Sequence, residues 1–155
     1  MKILVLGLGN PILTDDGVGI YIARELQKRS LPKEVVVEES SLSGFYLMDL
    51  LLGYDKAIII DSVKTKGGKV GEIYSFKPEV FDRSVHLTSV HQTNLATAMK
   101  FGKQMGLKVP KEIIIFAVEI ADNQTFSEEC TPLVQKAIPR AVRLVEKELL
   151  RMVKG

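Results

Sequence analysis

Apolar residues fall along this chain in short continuous runs that alternate with segments of helical spacing. Runs rich in β-branched residues, which are typical of strands, lie at residues 2–6, 35–38, 57–60 and 112–118, with a weaker run at 70–76. Several runs are apolar throughout, as expected of parallel strands covered on both faces. Between them, apolar residues recur every four positions, as on one face of a helix: Val18, Ile22 and Leu26, then Leu95 and Met99, then Val134, Ile138 and Val142. The pattern predicts an α/β fold, a three-layer α/β/α sandwich around a mostly parallel five-stranded sheet.

Glycine, proline and capping residues refine this pattern at three places. Gly67 and Gly68 precede the weak run and indicate a short hairpin after the third strand, so that one strand of the sheet can run antiparallel. Thr131 followed by Pro132 is typical of a helix start. Pro139 lies inside the last helical pattern and is expected to kink or split that helix, because an unbroken helix would pay about 3 kcal/mol for it.

The composition is that of one globular domain spanning residues 1–155, with 46% hydrophobic and 26% charged residues. Its 21 basic and 19 acidic residues leave a net charge of +2, which is too balanced to indicate a nucleic-acid or membrane partner. The first apolar run has the length of a strand rather than of a signal peptide, and no run approaches the roughly 20 residues of a membrane helix. We therefore expect a soluble, cytoplasmic protein.

Cys130 is the only cysteine, so it cannot form an internal disulfide. Its neighbours Glu128 and Glu129 are expected to raise the pKa of the thiol, and no histidine lies near it in the sequence. We therefore expect a structural cysteine rather than a nucleophile.

The first strand-to-helix connection concentrates glycine and polar residues. It reads Gly-Leu-Gly-Asn-Pro-Ile-Leu-Thr-Asp-Asp-Gly-Val-Gly over residues 7–19, and open α/β sheets usually build their sites at such connections. A dinucleotide fingerprint would need glycine where this chain has Ile12, and the acidic pair Asp15 and Asp16 disfavours an approaching phosphate. The Gly-Lys-Ser/Thr of a P-loop is absent. The connection therefore indicates a site that is not a nucleotide site.

Three polar residues are predicted to meet at the carboxyl edge of the sheet. Asp16 ends the first loop, Asp61 ends the third apolar run, and His91 opens a helix within a Ser-x-x-Gln capping box at residues 89–92. Two carboxylates and an imidazole suit one divalent metal ion and leave coordination positions open. A helix N-terminus also favours the neutral imidazole that binds metal. The three residues are therefore a candidate metal site.

Each candidate also has a purely structural interpretation. Asp16 could be only the cap of the following helix, although Asp15 is the preferred candidate for that cap. Asp61 could be a turn residue at a strand end, and His91 could be a solvated residue in a first helical turn. The capping box favours His91 over His86, the other histidine, because it fixes the direction of the side chain.

Taken together, these motifs resemble the hydrogenase maturation endopeptidases, which trim the C-terminus of the nickel–iron hydrogenase large subunit. The resemblance extends over essentially the whole chain, including the late strand and the final helix. It rests on residues 3–10, 15–19, 59–61 and 71–73, and on His91 and Gln92. The first motif, at residues 3–10 and 15–19, is fairly specific for this family. Its combination with Asp61 and His91 is much more specific.

The resemblance implies an endopeptidase that cuts the nickel-loaded precursor of the large subunit, on a phosphorylase/hydrolase-like sheet and in a family grouped with the aspartic peptidases. It implies that Asp16, Asp61 and His91 contact the nickel carried by that substrate; other divalent metals can occupy the same site. Asp16, where similar proteins carry Asp or Glu, is then a candidate general base, unless the metal itself acidifies a bound water. We expect a monomer, because a large protein must reach the site, and we expect residues 91–102 and 119–122 to help select the partner.

Two other functions stay open from the sequence. Peptidyl-tRNA hydrolases resemble residues 5–11 and share a similar fold, but their catalytic histidine follows that motif, where this chain has only residues 14–17, Thr-Asp-Asp-Gly. They also need a basic surface that this charge balance lacks. A non-proteolytic nickel-binding module that docks on the hydrogenase would use the same three residues as a peptidase. Substitution of Asp16 by Asn separates these two, since only a peptidase would lose cleavage.

Overall fold

The computed structural model describes residues 1–41, 45–78 and 95–155. His86, His91 and the capping box at residues 89–92 lie outside the described residues. The described elements follow in the order β1 (Ile3–Leu8), a 3₁₀ turn (Thr14–Gly17), α1 (Val18–Gln27), β2 (Val35–Ser40), α2 (Phe45–Leu51), β3 (Lys56–Val63), β4 (Ile73–Phe76), α3 (Leu95–Gln104), β5 (Glu112–Glu119) and α4 (Pro132–Lys154). Each predicted strand is present.

The strands form one sheet in the order β2-β1-β3-β5-β4. β2, β1, β3 and β5 are parallel, and β4 runs antiparallel to β5. Residues of α1 and α4 pack on one face of the sheet, and residues of α2 and α3 pack on the other. The predicted three-layer α/β/α sandwich with a mostly parallel five-stranded sheet is confirmed.

Alternate residues of the central strands face the two helical layers, which explains why their sequences are apolar throughout. In β1, Ile3 and Val5 pack with α1 and α4, whereas Leu4 and Leu6 pack with α2 and α3. All four side chains are fully buried. The predicted apolar face of α1 is also confirmed, since its three residues are buried in the first of these layers.

The predicted hairpin between β3 and β4 is wrong, although the antiparallel strand itself is confirmed. β3 pairs with β1 on one side and with β5 on the other, so neither of its edges is left for β4. β4 pairs with the other edge of β5 instead. The chain crosses the end of β5 to reach it: the Gly71 N–H donates to the Glu119 carbonyl, and the Glu119 N–H donates to the Glu72 carbonyl, both at 2.8 Å. Gly67 and Gly68 therefore lie in a connection that crosses the end of β5, and not in a hairpin turn.

The last helix, α4, contains Pro139 but runs without a break over its 23 residues. The predicted split is therefore absent, and Pro139 lies on the exposed side of the helix. Thr131 is the N-cap residue and Pro132 begins the helix, as predicted, but the Thr131 side chain makes no capping hydrogen bond. Among the helices that the structure describes, none combines the length and the apolar character needed to cross a membrane.

Candidate active site

The carboxyl ends of β1 and β3 lie where the order of the sheet reverses. From β1 the chain passes to β2 on one side, and it then returns to β3 on the other side of β1. In open α/β sheets, ligands bind in the crevice that such a switch point leaves at the carboxyl ends of the strands. The β1–α1 loop (residues 9–17) and the end of β3 border this crevice, and they carry Asp16 and Asp61.

The β1–α1 loop folds back on itself and fixes Asp16. The Asp16 carboxylate accepts a hydrogen bond of 2.9 Å at Oδ2 from the backbone N–H of Asn10. Gly9, with a φ of 140°, permits this return, because a Cβ there would lie 2.0 Å from the Asp16 carbonyl oxygen. The N-cap of α1 is Gly17, and no side chain caps it. The interpretation of Asp16 as a helix cap is therefore wrong, and its partly buried carboxylate is held inside the loop.

Asp61 lies in β3 directly after the apolar run and is fully buried. Its Oδ1 accepts a hydrogen bond of 2.8 Å from the N–H of Ser62. Because side chains alternate along a strand, Asp61 shares a face with Ile59, which packs with α2 and α3. Asp61 is therefore not a solvated turn residue, and its membership of a functional site stays a prediction.

Close packing of α1 against the sheet brings both carboxylate residues to one end of the strands. A Cβ on Gly19 would lie 2.3 Å from the carbonyl oxygen of Ile60 and 2.6 Å from that of Leu8, so α1 can begin this near the strands only because residue 19 is glycine. Asp61 directly follows Ile60 in β3, and Asp16 lies in the 3₁₀ turn, which also contacts β3. Both carboxylates therefore lie at the carboxyl edge of the sheet, beside the switch point.

The third predicted member of the site, His91, lies outside the described residues. Within residues 1–41, 45–78 and 95–155, no three His, Cys, Asp or Glu residues are grouped closely enough to hold a metal ion. The shared metal site of Asp16, Asp61 and His91 therefore stays a prediction. Carboxylates at this edge can supply oxygen ligands to a divalent cation or accept a proton from water.

Asp15, the preferred cap candidate, instead ties the β1–α1 loop to the β5–α4 loop (residues 120–131). Its side chain is fully buried. Oδ1 accepts from the Thr131 N–H at 2.7 Å, and Oδ2 accepts from the Thr131 hydroxyl at 2.8 Å and from the N–H groups of Ala121 and Asp122, both at 3.0 Å. The cap prediction for Asp15 is wrong, because N–H and O–H groups of the β5–α4 loop donate hydrogen bonds to both oxygens of its carboxylate. The same bonds explain why Thr131 does not cap α4.

The β5–α4 loop also has internal hydrogen bonds. Asp122 accepts at Oδ1 from the N–H groups of Gln124 and Thr125, at 2.9 and 3.0 Å, and at Oδ2 from the Thr125 hydroxyl at 2.7 Å. These bonds, that of the Thr125 hydroxyl first, lower the pKa of Asp122 to about 2. The Thr14 hydroxyl donates to the Thr125 carbonyl and joins this turn to the β1–α1 loop. The loop therefore has a backbone fixed by hydrogen bonds.

Glu119, the last residue of β5, holds the connection between β3 and β4. Its carboxylate accepts at Oε2 from the Thr65 N–H at 2.8 Å, and at Oε1 from the Thr65 hydroxyl at 2.5 Å and the Tyr74 hydroxyl at 3.1 Å. Burial first, and then the bond to Glu119, raise the pKa of Tyr74 to about 12. Glu119 and Ile120 are 1% and 3% exposed, so the expectation that residues 119–122 select the partner is wrong for these two.

Cys130 is buried, with its Sγ 3.7 Å from the Thr14 carbonyl oxygen. Burial first, and then the negative charge of Asp15, raise the pKa of the thiol to about 12. The direction of the predicted shift is confirmed, but its cause is burial and Asp15 rather than Glu128 and Glu129. A protonated, buried thiol suits a structural role.

We expect the folded protein to resist alkylation at Cys130. A thiol with a pKa of about 12 is almost wholly protonated at neutral pH, and the thiolate is the reactive form. Intact mass spectrometry after iodoacetamide treatment should therefore show an unmodified native protein and a single adduct in concentrated urea. Rapid labelling of the folded protein would contradict a buried, protonated thiol.

Sequence reasoning did not find the structural roles of Asp15, Glu119 and Asp122. For Asp122 a signal exists, since an aspartate at the start of a polar loop is typical of a turn that its side chain stabilises. For Asp15 and Glu119 there is none, because their partners Thr131 and Thr65 lie 116 and 54 positions away.

Known proteins resemble this chain along most of its length. The family model described as HycI, hydrogenase maturation protease, matches residues 20–148, a range that includes Asp61 and His91 and begins after Asp16. The hydrogenase 2 maturation protease of Escherichia coli K12 is 29% identical over 150 residues, which are 94% of this chain and 88% of that protein. Protein FrxA of Pyrococcus furiosus is 30% identical over 133 residues, which are 84% of this chain and 93% of that protein.

The fold has solved counterparts as well. The hydrogenase maturating endopeptidase HybD from Escherichia coli matches this structure with a TM-score of 0.83 and 28% identity, over 98% of this chain and 94% of that one. That likeness agrees with the family match in sequence. The chain therefore belongs to the hydrogenase maturation protease family, and it is a hydrolase of the peptidase class.

Proposed function

We propose that this chain is the endopeptidase that removes a C-terminal peptide from the nickel-loaded precursor of a nickel–iron hydrogenase large subunit. The observation that carries the proposal is the placement of Asp16 and Asp61 at the switch-point edge of a chain that belongs to the hydrogenase maturation protease family. The nickel belongs to the protein substrate and is recognised there.

In this proposal, Asp16, Asp61 and His91 contact the nickel of the substrate and so hold the scissile peptide beside it. Two carboxylates and an imidazole supply the oxygen and nitrogen ligands that suit a divalent nickel ion. The bond from the Asn10 N–H and the close approach at Gly9 support the assignment, because they fix the Asp16 carboxylate before substrate arrives. A group fixed in advance loses less entropy on binding than a mobile one.

Asp16 is also our candidate for the general base. It is partly exposed, so water can reach its carboxylate, whereas Asp61 is fully buried. Asp16 would take a proton from the water whose oxygen attacks the scissile carbonyl, and the nickel of the substrate would make that proton easier to remove. The proton then passes to the leaving amine as the peptide bond breaks. This assignment agrees with the grouping of the family among the aspartic peptidases only in one respect, which is that a carboxylate activates the water.

The test is intact mass spectrometry of a nickel-loaded large-subunit precursor incubated with this protein. We expect the precursor to lose a C-terminal peptide with the unaltered protein and to keep its mass with the His91→Ala variant. A nickel-free precursor should stay intact with both. Leu150→Ser, at an exposed position on α4, is the control variant and should cleave like the unaltered protein.

Three outcomes distinguish a nickel-recognising peptidase from a peptidase that does not need nickel and from a docking module. Cleavage of the nickel-free precursor would contradict the recognition of nickel but not the peptidase. An uncut precursor that an extract of its own cells can still process would contradict the peptidase. If native mass spectrometry then detects a complex of the uncut precursor with this protein, the chain is a docking module for assembly.

A further inference from the structure

Two exposed apolar residues, Ile12 and Phe126, lie on two loops that hydrogen-bond to each other, and one of these loops carries Asp16. They are 47% and 79% exposed, and Phe126 is the most exposed large apolar residue in the described part of the chain. Ser127 and Leu13 form a parallel bridge between their two loops. The Ser127 N–H donates to the Ile12 carbonyl at 2.9 Å, and the Thr14 N–H donates to the Ser127 carbonyl at 3.0 Å.

This bridge brings the backbones of Ile12 and Phe126 together. The Ile12 carbonyl accepts a hydrogen bond from the N–H of Ser127, the residue that directly follows Phe126, so the two residues are neighbours across the two loops. We name them the apolar pair. Residues that are more than 100 positions apart thus place two exposed apolar side chains on adjoining loops.

The backbone under the apolar pair is fixed by hydrogen bonds. The turn around Asp122 and Thr125 directly precedes Phe126, and the buried Asp15 carboxylate holds both ends of the β5–α4 loop to the β1–α1 loop. An exposed aromatic on a fixed backbone is typical of a binding hot spot, because the partner need not order the loop.

The position of the apolar pair indicates its occupant. Ile12 belongs to the same loop as Asp16, so a protein that covers the pair also borders the switch-point crevice. A second copy of this chain on that surface would obstruct the approach of a protein substrate to Asp16. The surface therefore favours the substrate itself over self-association.

We infer that Ile12 and Phe126 dock an apolar surface of the large-subunit precursor while its C-terminal segment enters the crevice. The inference rests on the proposed function and adds the contact that selects the protein substrate. The apolar pair would contribute to binding and not to the bond-breaking step, since neither side chain carries a group that can move a proton.

The test compares Phe126→Ser and Ile12→Ser with the control Leu150→Ser. Leu150 is 53% exposed and precedes Arg151, which pairs with Glu112 at the opposite edge of the sheet, at the start of β5. We expect Phe126→Ser to weaken binding of the nickel-loaded precursor on the order of 10-fold or more, with a matching rise in KM and an unchanged kcat. Ile12→Ser should do the same to a smaller extent, and the control should behave like the unaltered protein.

The outcomes keep this inference apart from the proposed function. If the unaltered protein cleaves the precursor and both pair variants keep its Kd and KM, the docking inference alone is overturned. If the unaltered protein neither binds nor cleaves, the proposed function fails. A dimer that Phe126→Ser converts to a monomer in sedimentation velocity would assign the pair to a second copy and overturn the inference. The two variants lie on separate loops, so if one variant fails to fold, the other still tests the inference.

Discussion

Asp16→Asn should slow C-terminal processing of the nickel-loaded precursor by about 10²–10⁴-fold, the usual contribution of a general base. The amide keeps an oxygen that can accept the hydrogen bond from the Asn10 N–H, so the β1–α1 loop should keep its shape. It loses the negative charge that would accept a proton or contact nickel. The measurement is the rate at which intact mass spectrometry detects the shortened precursor, with enzyme in excess.

Two further variants make this result specific to the carboxylate. Asp16→Glu restores the charge and should recover much of the rate. Asp55→Asn makes the same isosteric change at the opposite edge of the sheet, where Asp55 accepts from the Lys2 N–H, and should process normally. A normal rate for Asp16→Asn, with an unchanged urea midpoint, would remove Asp16 from the chemistry.

Asp15→Ala should lower the free energy of unfolding by about 3–5 kcal/mol, because it removes the acceptor of four partly buried hydrogen bonds, and such a bond contributes about 0.5–1.5 kcal/mol. The variant would leave three backbone N–H groups and one hydroxyl without their acceptor at the junction of two loops. Such a loss is a large part of the 5–15 kcal/mol typical of a whole domain. Urea unfolding followed by circular dichroism measures it.

The matched control is Asp49→Ala on the exposed side of α2, which should change stability by no more than about 0.5 kcal/mol. Asp15→Ala should also slow processing, because Asp15 precedes the candidate base and fixes its loop. A loss below about 1 kcal/mol would mean that water replaces the carboxylate as acceptor, and that the two loops do not depend on Asp15.

The strands could be predicted from the sequence because the central sheet is buried on both faces. Burial of that kind produces apolar runs such as residues 57–60, which differ clearly from the four-residue spacing of α1. The location of a site after β1 followed from the same pattern, since the loop after a parallel strand opens at the carboxyl edge. The family resemblance rested on those loop residues.

The partner of β4 could not be predicted in this way. Gly67 and Gly68 permit a turn, and a tight turn most often joins neighbouring strands. The edges of β3 are already occupied by β1 and β5, which is a property of the whole sheet. The two glycines therefore predicted correctly that one strand runs antiparallel, but they predicted the wrong partner strand for it.

The sequence by itself determined the layers of the sandwich, the antiparallel strand and the loop that carries the candidate carboxylates. Only the tertiary structure showed what holds the carboxylates of Asp15 and Asp16: the first is buried and accepts from Thr131, and the second accepts from the Asn10 N–H. Only the tertiary structure placed Ile12 beside Phe126. The physical reason is that periodicity records which faces are buried, whereas the roles of loop residues depend on donors and apolar groups that folding brings from more than 100 positions away.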